Sequence, residues 1–150
     1  MFTRRALLTT AVLGALVSAC GYVSSGIWEN DPDNWERAFG SKPFDHAKTV
    51  HSLYWRSPHF TYEAAYWFEF EPSADFEREI FAPNELVRLE SVSPRVRLAD
   101  FHGKSLKWFA PKRGKDAYEI WGWRERDRLP ETHILIDRET RAIFVTAMQL

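Results

Sequence analysis

Thr61-Tyr62-Glu63-Ala64-Ala65-Tyr66-Trp67-Phe68-Glu69-Phe70-Glu71 is the stretch whose reading decides the fold. Tyr62, Ala64, Tyr66, Phe68 and Phe70 fall on one side of an extended chain. Thr61, Glu63, Ala65, Trp67, Glu69 and Glu71 fall on the other. Successive side chains of a strand point to opposite faces, so this alternation predicts a half-buried strand with its aromatic side on a core. Immediately upstream, Lys48 to Arg56 carries Val50, Leu53, Tyr54 and Trp55 and reads as a second strand. Ser57-Pro58-His59-Phe60 reads as the turn that joins the two into a hairpin.

Working outward, Ser73 is placed to cap a helix running to about Phe81, with Phe76 and Ile80 one turn apart on its dry side and Pro83 beyond its end. Asp31-Pro32 signals another helix start, with Trp35, Ala38 and Phe39 on one face and Gly40 as its C-terminal cap. Ala117 to Glu125 reads as a third strand. His133 to Asp137 and Ala142 to Gln149 read as a closing hairpin around Arg138-Glu139-Thr140-Arg141. Glu85 to Phe101 is open between a strand and a short helix around Pro94, and Gly103 to Asp116 reads as a loop. The expected architecture is α+β: a single domain with an antiparallel sheet of about five strands and two short helices on one side.

Composition agrees with a packed domain. Of 150 residues, 45% are hydrophobic and 27% charged, and 15% are aromatic, with seven tryptophans. Side chains of that size can offset the entropy of ordering the chain, which argues against disorder. The formal net charge of −1 gives no support for nucleic-acid binding, which ordinarily shows a strong basic excess. Cys20 is the only cysteine, so the chain cannot close a disulfide within itself.

The lone cysteine closes an apolar run. Met1-Phe2-Thr3-Arg4-Arg5 is a short basic start, and Ala6 to Ala19 is apolar or small throughout apart from hydroxyls. This is the layout of a secretory signal. About 14 residues are too few to cross a hydrocarbon core, which needs roughly 20. Leu16-Val17-Ser18-Ala19-Cys20 resembles the bacterial lipobox. That resemblance implies a precursor cut before Cys20, which would then carry a diacylglyceryl group and be anchored in a membrane. Domains would follow as a signal over 1–19, a lipidated cysteine and tether over 20–30, and a globular domain over 31–150. Gly21, where enteric-type sorting reads aspartate as an inner-membrane signal, implies the outer membrane facing the periplasm. Thr3-Arg4-Arg5-Ala6-Leu7-Leu8 also resembles a twin-arginine signal, which leaves the export route open.

Catalytic signatures are scarce. No nucleophile elbow, phosphate loop, His-Glu-x-x-His or paired-cysteine pattern occurs, and no cofactor is implied. His46, His51, His59, His102 and His133 match no common zinc spacing. His51 and His59 could meet Glu63 across the first hairpin, but the preferred reading is ordinary surface or turn histidines. Glu69 and Glu71 share a strand face, the arrangement of either an acid–base pair or a solvated edge. Trp121-Gly122-Trp123 puts two indoles on one face with a gap on the other, which suits either core packing or an aromatic platform for sugar rings.

Charge is segregated. Thr61 to Glu90 holds eight acids against Arg78 and Arg88. Ser91 to Lys115 holds Arg95, Arg97, Lys104, Lys107, Lys112, Arg113 and Lys115 against Asp100 alone. The basic segment can steer an acidic envelope partner, or the two segments can neutralise each other in the fold.

Asn34-Trp35-x-x-Ala38-Phe39-Gly40, Tyr54-Trp55-Arg56-Ser57-Pro58-His59 and Ile136-Asp137-Arg138-Glu139 resemble small bacterial envelope lipoproteins, a resemblance that implies location and no activity. Two functional classes remain. One is a non-enzymatic binding lipoprotein of the cell envelope. The other is a peptidoglycan- or carbohydrate-directed binder or small hydrolase. The missing motifs favour the first.

Overall fold

The computed structural model describes residues 25–58, 63–83, 85–90, 100–109, 115–123 and 132–149. In chain order the elements are β1 (Gly26–Glu29), α1 (Asn34–Phe39), β2 (Thr49–Arg56), β3 (Ala64–Phe70), α2 (Ala74–Phe81), β4 (Leu86–Arg88), β5 (Asp100–Phe101) and β6 (Lys104–Ser105). A short 3-10 turn (Lys115–Ala117) follows, then β7 (Tyr118–Trp123), β8 (His133–Asp137) and β9 (Ile143–Gln149). Seven strands form one open antiparallel sheet in the order β1-β2-β3-β9-β8-β7-β4, and β5 and β6 pair separately. The α+β class stands, while the strand number exceeds the five expected.

The two additional sheet strands lie at the edges. Gly26–Glu29 falls inside the expected tether yet pairs with Leu53–Arg56 of β2. A four-residue edge strand beside serines and a glycine carries no periodic signal long enough to stand out. Leu86–Arg88, in the stretch left open between helix and strand, pairs with Trp121–Trp123 as β4.

The aromatic alternation of β3 lands in the expected register. Tyr66, Phe68 and Phe70 pack with Tyr54 of β2, Ile134 and Ile136 of β8, and Ile143 and Val145 of β9. Both helices cover this face through Trp35, Phe76 and Ile80. Trp35 is the hub, its ring centroid 4.3 Å from Phe39 and 5.6 Å from Phe70, with Phe44, Phe68 and Phe76 around it.

The expectation of a half-buried strand needs correction. Ala65 and Trp67, on the face opposite the helices, are both 0% exposed. Leu53, Tyr118, Ile120 and Leu135 share that face, and Phe101, Leu106 and Phe109 cover it from the β5–β6 segment. Trp67 and Phe101 have centroids 4.7 Å apart. The sheet thus has two apolar faces, and β3 sits between them with β2 and β9 on either side. Of the acids that suggested a wet side, Glu69 is half-buried between His51 and Phe144, which pack on Trp108 and Phe109, and only Glu71 follows the end of the strand. Glu71 is exposed and lies 3.7 Å from Lys48.

Helix ends follow local chemistry. Ser73 Oγ accepts the Phe76 N–H at 3.2 Å, and Gly40 takes φ 67° while its N–H returns to Glu36 O. The first helix starts at Asn34, two residues later than the proline rule implied, because Asp31 accepts the Asp33 N–H at 2.9 Å and forms a turn ahead of it. Asn34 is fully buried; its amide donates to Trp28 O and Ser52 Oγ, each at 3.0 Å, and its oxygen accepts from Arg37 at 3.2 Å. This residue ties α1 to β1 and β2. The closing turn is held by Asp137, whose carboxylate accepts the Glu139 and Thr140 N–H groups at 2.8 and 2.9 Å. Arg141 of that turn ion-pairs with Glu77 of α2 and lies 3.6 Å from Glu119 of β7.

Candidate functional site

A cleft of about 410 Å³ opens where β4, β7 and the end of β8 meet. Three backbone features build it. β4 pairs with β7 from Leu86 to Arg88, and the Leu89 N–H then donates to Ile120 O at 2.8 Å, which continues the pairing past the strand. The Arg138 N–H donates to Ala117 O at 2.9 Å and draws the start of the closing turn beside the 3-10 turn. Residues 88–90, 116–120 and 138, far apart in the chain, therefore line one depression.

The floor is apolar: Leu89, Ile120 and the buried ring of Tyr118, which meets Phe144 edge-on at 6.3 Å. Arg88, Glu90, Asp116 and Arg138, all exposed, complete the lining, with Arg88 in register with Trp121 and so directed to the helix-covered face, away from the floor. Among the described residues several basic groups elsewhere are paired. Arg37 meets Asp31 at 2.9 Å, Arg78 pairs with Asp75, Arg141 pairs with Glu77, and Lys104 reaches Glu29 at 3.2 Å. Among the described residues no ion pair joins the cleft's guanidinium and carboxylate groups, although both signs line the same rim.

The residues singled out in the sequence are differently placed. Cys20, Arg95, Arg97, Lys112 and Arg113 lie outside the described residues, as do the side chains of Lys115 and Trp123. Lys104 is spent on Glu29 and fastens the β5–β6 hairpin to β1. Lys107 is exposed. Trp121 packs edge-on against Phe81 at 5.0 Å, on the helix-covered face, with its Nε1 buried and unpartnered. It serves the core and is not a free stacking surface. The gap expected opposite the indoles is filled: a Cβ on Gly122 would come within 2.8 Å of Leu89 Cδ1.

The histidines also separate. His51 lies opposite Glu69 and its ring is 5.3 Å from Trp108, while His59 is outside the described residues. His133 is buried, and His102 stacks on Trp55 at 5.1 Å. His46 Nδ1 lies 2.7 Å from Glu79 Oε1, a contact that holds its pKa above the ordinary histidine value. Arg37 beside Asp31 holds that carboxyl below its ordinary value. Among the described residues no cluster of His, Cys, Asp or Glu is placed to hold a metal ion.

The cleft residues were not singled out in the sequence. Arg88 and Glu90 counted only as part of an acidic segment, and Arg138 only as a turn residue. Their meeting depends on β4 pairing with β7, and no local pattern carries that pairing. No protein-family model matches this chain, nor does any curated protein or any solved structure. No helix among the described residues is long and apolar enough to cross a membrane.

Proposed function

We propose that this chain is a lipid-anchored protein of the bacterial envelope whose folded domain binds a partner without turning over a substrate. The observation that carries it is Leu16-Val17-Ser18-Ala19-Cys20 at the end of a short apolar run with a basic start. One acyl chain gives marginal membrane binding, and two or more give stable anchoring, so a lipidated Cys20 suffices to hold the protein. Since β1 begins at Gly26, only residues 21–25 separate the anchor from the fold. Five residues reach at most about 18 Å, so the domain would stand against its own membrane. Gly21 favours the outer membrane, facing the periplasm.

Binding is preferred to catalysis because the sequence carries no nucleophile elbow, phosphate loop, His-Glu-x-x-His or paired-cysteine pattern. A sugar-stacking role is disfavoured by the packing of Trp121 on Phe81. The test is metabolic labelling with a palmitate analogue and fractionation of wild type and Cys20→Ser. Label and membrane association should both be lost in the variant. A wild-type protein that takes up no label sinks the anchor.

A further inference from the structure

We propose that the apolar row Ile27–Trp55–Ala65–Met148, on the face of the sheet away from the helices, is the surface on which the domain rests against a lipid bilayer, an inference that rests on reading Cys20 as the membrane anchor. The strand register sets the row. Ile27 pairs with Trp55, Trp55 with Ala65, and Ala65 with Met148, so the four lie side by side across β1, β2, β3 and β9. Three strand spacings of about 4.8 Å make the row roughly 14 Å wide. Ala65 belongs to the second core, and Ile27, Trp55 and Met148 pack against that core at its margin.

Burial and polarity change along this face. The next row inward is Leu53, Trp67 and Thr146, all 0% exposed. The row beyond that is His51, Glu69 and Phe144, with two titratable side chains among three. In the outward row Ile27, Trp55 and Met148 are only partly buried, and none of the four positions carries a charge. The β5–β6 cover reaches as far as Trp55, which Phe101 meets edge-on at 5.4 Å and on which His102 stacks at 5.1 Å. This face is therefore titratable at one end, covered in the middle and apolar at the other.

The apolar end is the one the tether enters. β1 begins at Gly26, one residue before the row. The seven steps from Cys20 to Ile27 span at most about 25 Å, so an anchored Cys20 keeps the row close to the bilayer. The His51–Glu69 row lies four residues farther along β2, about 13 Å. Tryptophan favours the membrane–water boundary, where its ring meets acyl chains and its N–H stays wet. Methionine adapts its shape to an irregular contact. Four residues in a row fall well short of the ~800 Å² per partner of a stable protein interface, which favours a bilayer over a second copy of the chain.

The experiment uses the full-length protein coupled through Cys20, its only cysteine, to maleimide-bearing lipid in phosphatidylethanolamine–phosphatidylglycerol vesicles. The chemical tether separates the two ideas: failure of fatty-acid labelling in cells refutes the anchor, whereas the coupled protein reads the surface. Hydroxyl-radical oxidation resolved by mass spectrometry should slow about threefold or more at Trp55 and Met148 on vesicles, relative to uncoupled protein in buffer, as expected for side chains sunk into the headgroup boundary. Phe44 and Val50, exposed elsewhere on the domain, should oxidise at unchanged rates. Met148→Glu should return Trp55 to its rate in buffer while coupling and circular dichroism stay as in wild type. Unchanged rates at Trp55 and Met148 on vesicles overturn the proposal, as does equal protection of Phe44 and Val50. Protection that grows with protein concentration in the absence of lipid would also overturn it and assign the row to a second copy.

Discussion

Trp67→Ala is the substitution that most sharply tests the two-faced sheet. The alternation of Thr61 to Glu71 puts Trp67 on the acidic side of its strand, where a truncation would change stability by about half a kcal/mol at most. In the structure Trp67 is 0% exposed, with Leu53 beside it and Phe101 4.7 Å above. A buried aromatic of this size removes roughly 150–250 Å² from water, which at about 25 cal/mol per Å² gives ~4–6 kcal/mol. Unfolded chains already bury part of their surface, so the upper end overstates the loss. Large-to-small changes of this kind cost about 3–5 kcal/mol, a large share of the ~5–15 kcal/mol that holds a domain folded. Urea unfolding followed by far-UV circular dichroism would read it. Trp67→Phe should cost much less, because it keeps most of the contact and removes an indole N–H that is buried without a partner. A Trp67→Ala loss below about 0.5 kcal/mol would mean that the β5–β6 segment does not cover this face, and the second core would have to be abandoned.

On the helix-covered face, Phe68→Ala should cost about 3–5 kcal/mol in the same assay, since Phe68 is 1% exposed and packs on Trp35; a loss near zero would put the β3 register in error. Ser73→Ala removes the acceptor for the Phe76 N–H and should lower stability by about 1 kcal/mol, with Ser73→Gly costing less. Gly122→Ala forces Leu89 aside and should destabilise by about 1 kcal/mol; Leu89→Ala in the same chain should remove that penalty, and strict additivity of the two would show that they do not touch. His46 has a folded-state pKa raised first by its hydrogen bond to Glu79, then by the charges of Glu79, Asp75 and Asp45. Its contribution is therefore full below the ordinary value of 6.5 and is lost as pH rises through the raised one. Thermal unfolding of wild type and His46→Gln should differ at pH 5 and converge at pH 9, and a constant difference would show that the Glu79 contact does not titrate.

What was legible in the sequence was local. Ser73, Gly40 and the Arg138 to Arg141 turn act through neighbours a few residues away, so their chemistry is written in short patterns. The β3 register was legible because its aromatic set repeats every second residue over a long run. The dryness of the second face was not, because the cover comes from Phe101, Leu106 and Phe109, more than thirty positions downstream, and flanking glutamates pointed the other way. β1 was missed and β4 left open because three or four residues carry too little periodicity to separate a strand from a tether or from a short helix. The cleft was illegible for a stronger reason: its lining comes from three segments, and only the pairing of β4 with β7, together with the Arg138–Ala117 hydrogen bond, brings them together.

The sheet order bears on how an anchored protein would use that cleft. β1 is one edge of the sheet and follows Cys20 by only a few residues, whereas the cleft lies along β7 and β4 at the opposite edge. Five strand spacings separate β1 from β7, and at about 4.8 Å each they amount to roughly 24 Å. An anchor at Cys20 would therefore hold the β1 edge nearest the bilayer and the β7–β4 edge farther from it. The same geometry separates two kinds of damage. Substitutions in either core should unfold the domain and leave the anchor in place, while Cys20→Ser should release the protein with its fold intact. A Cys20→Ser protein whose circular dichroism or urea unfolding differed from wild type would contradict that independence and would give the N-terminal segment a part in the fold.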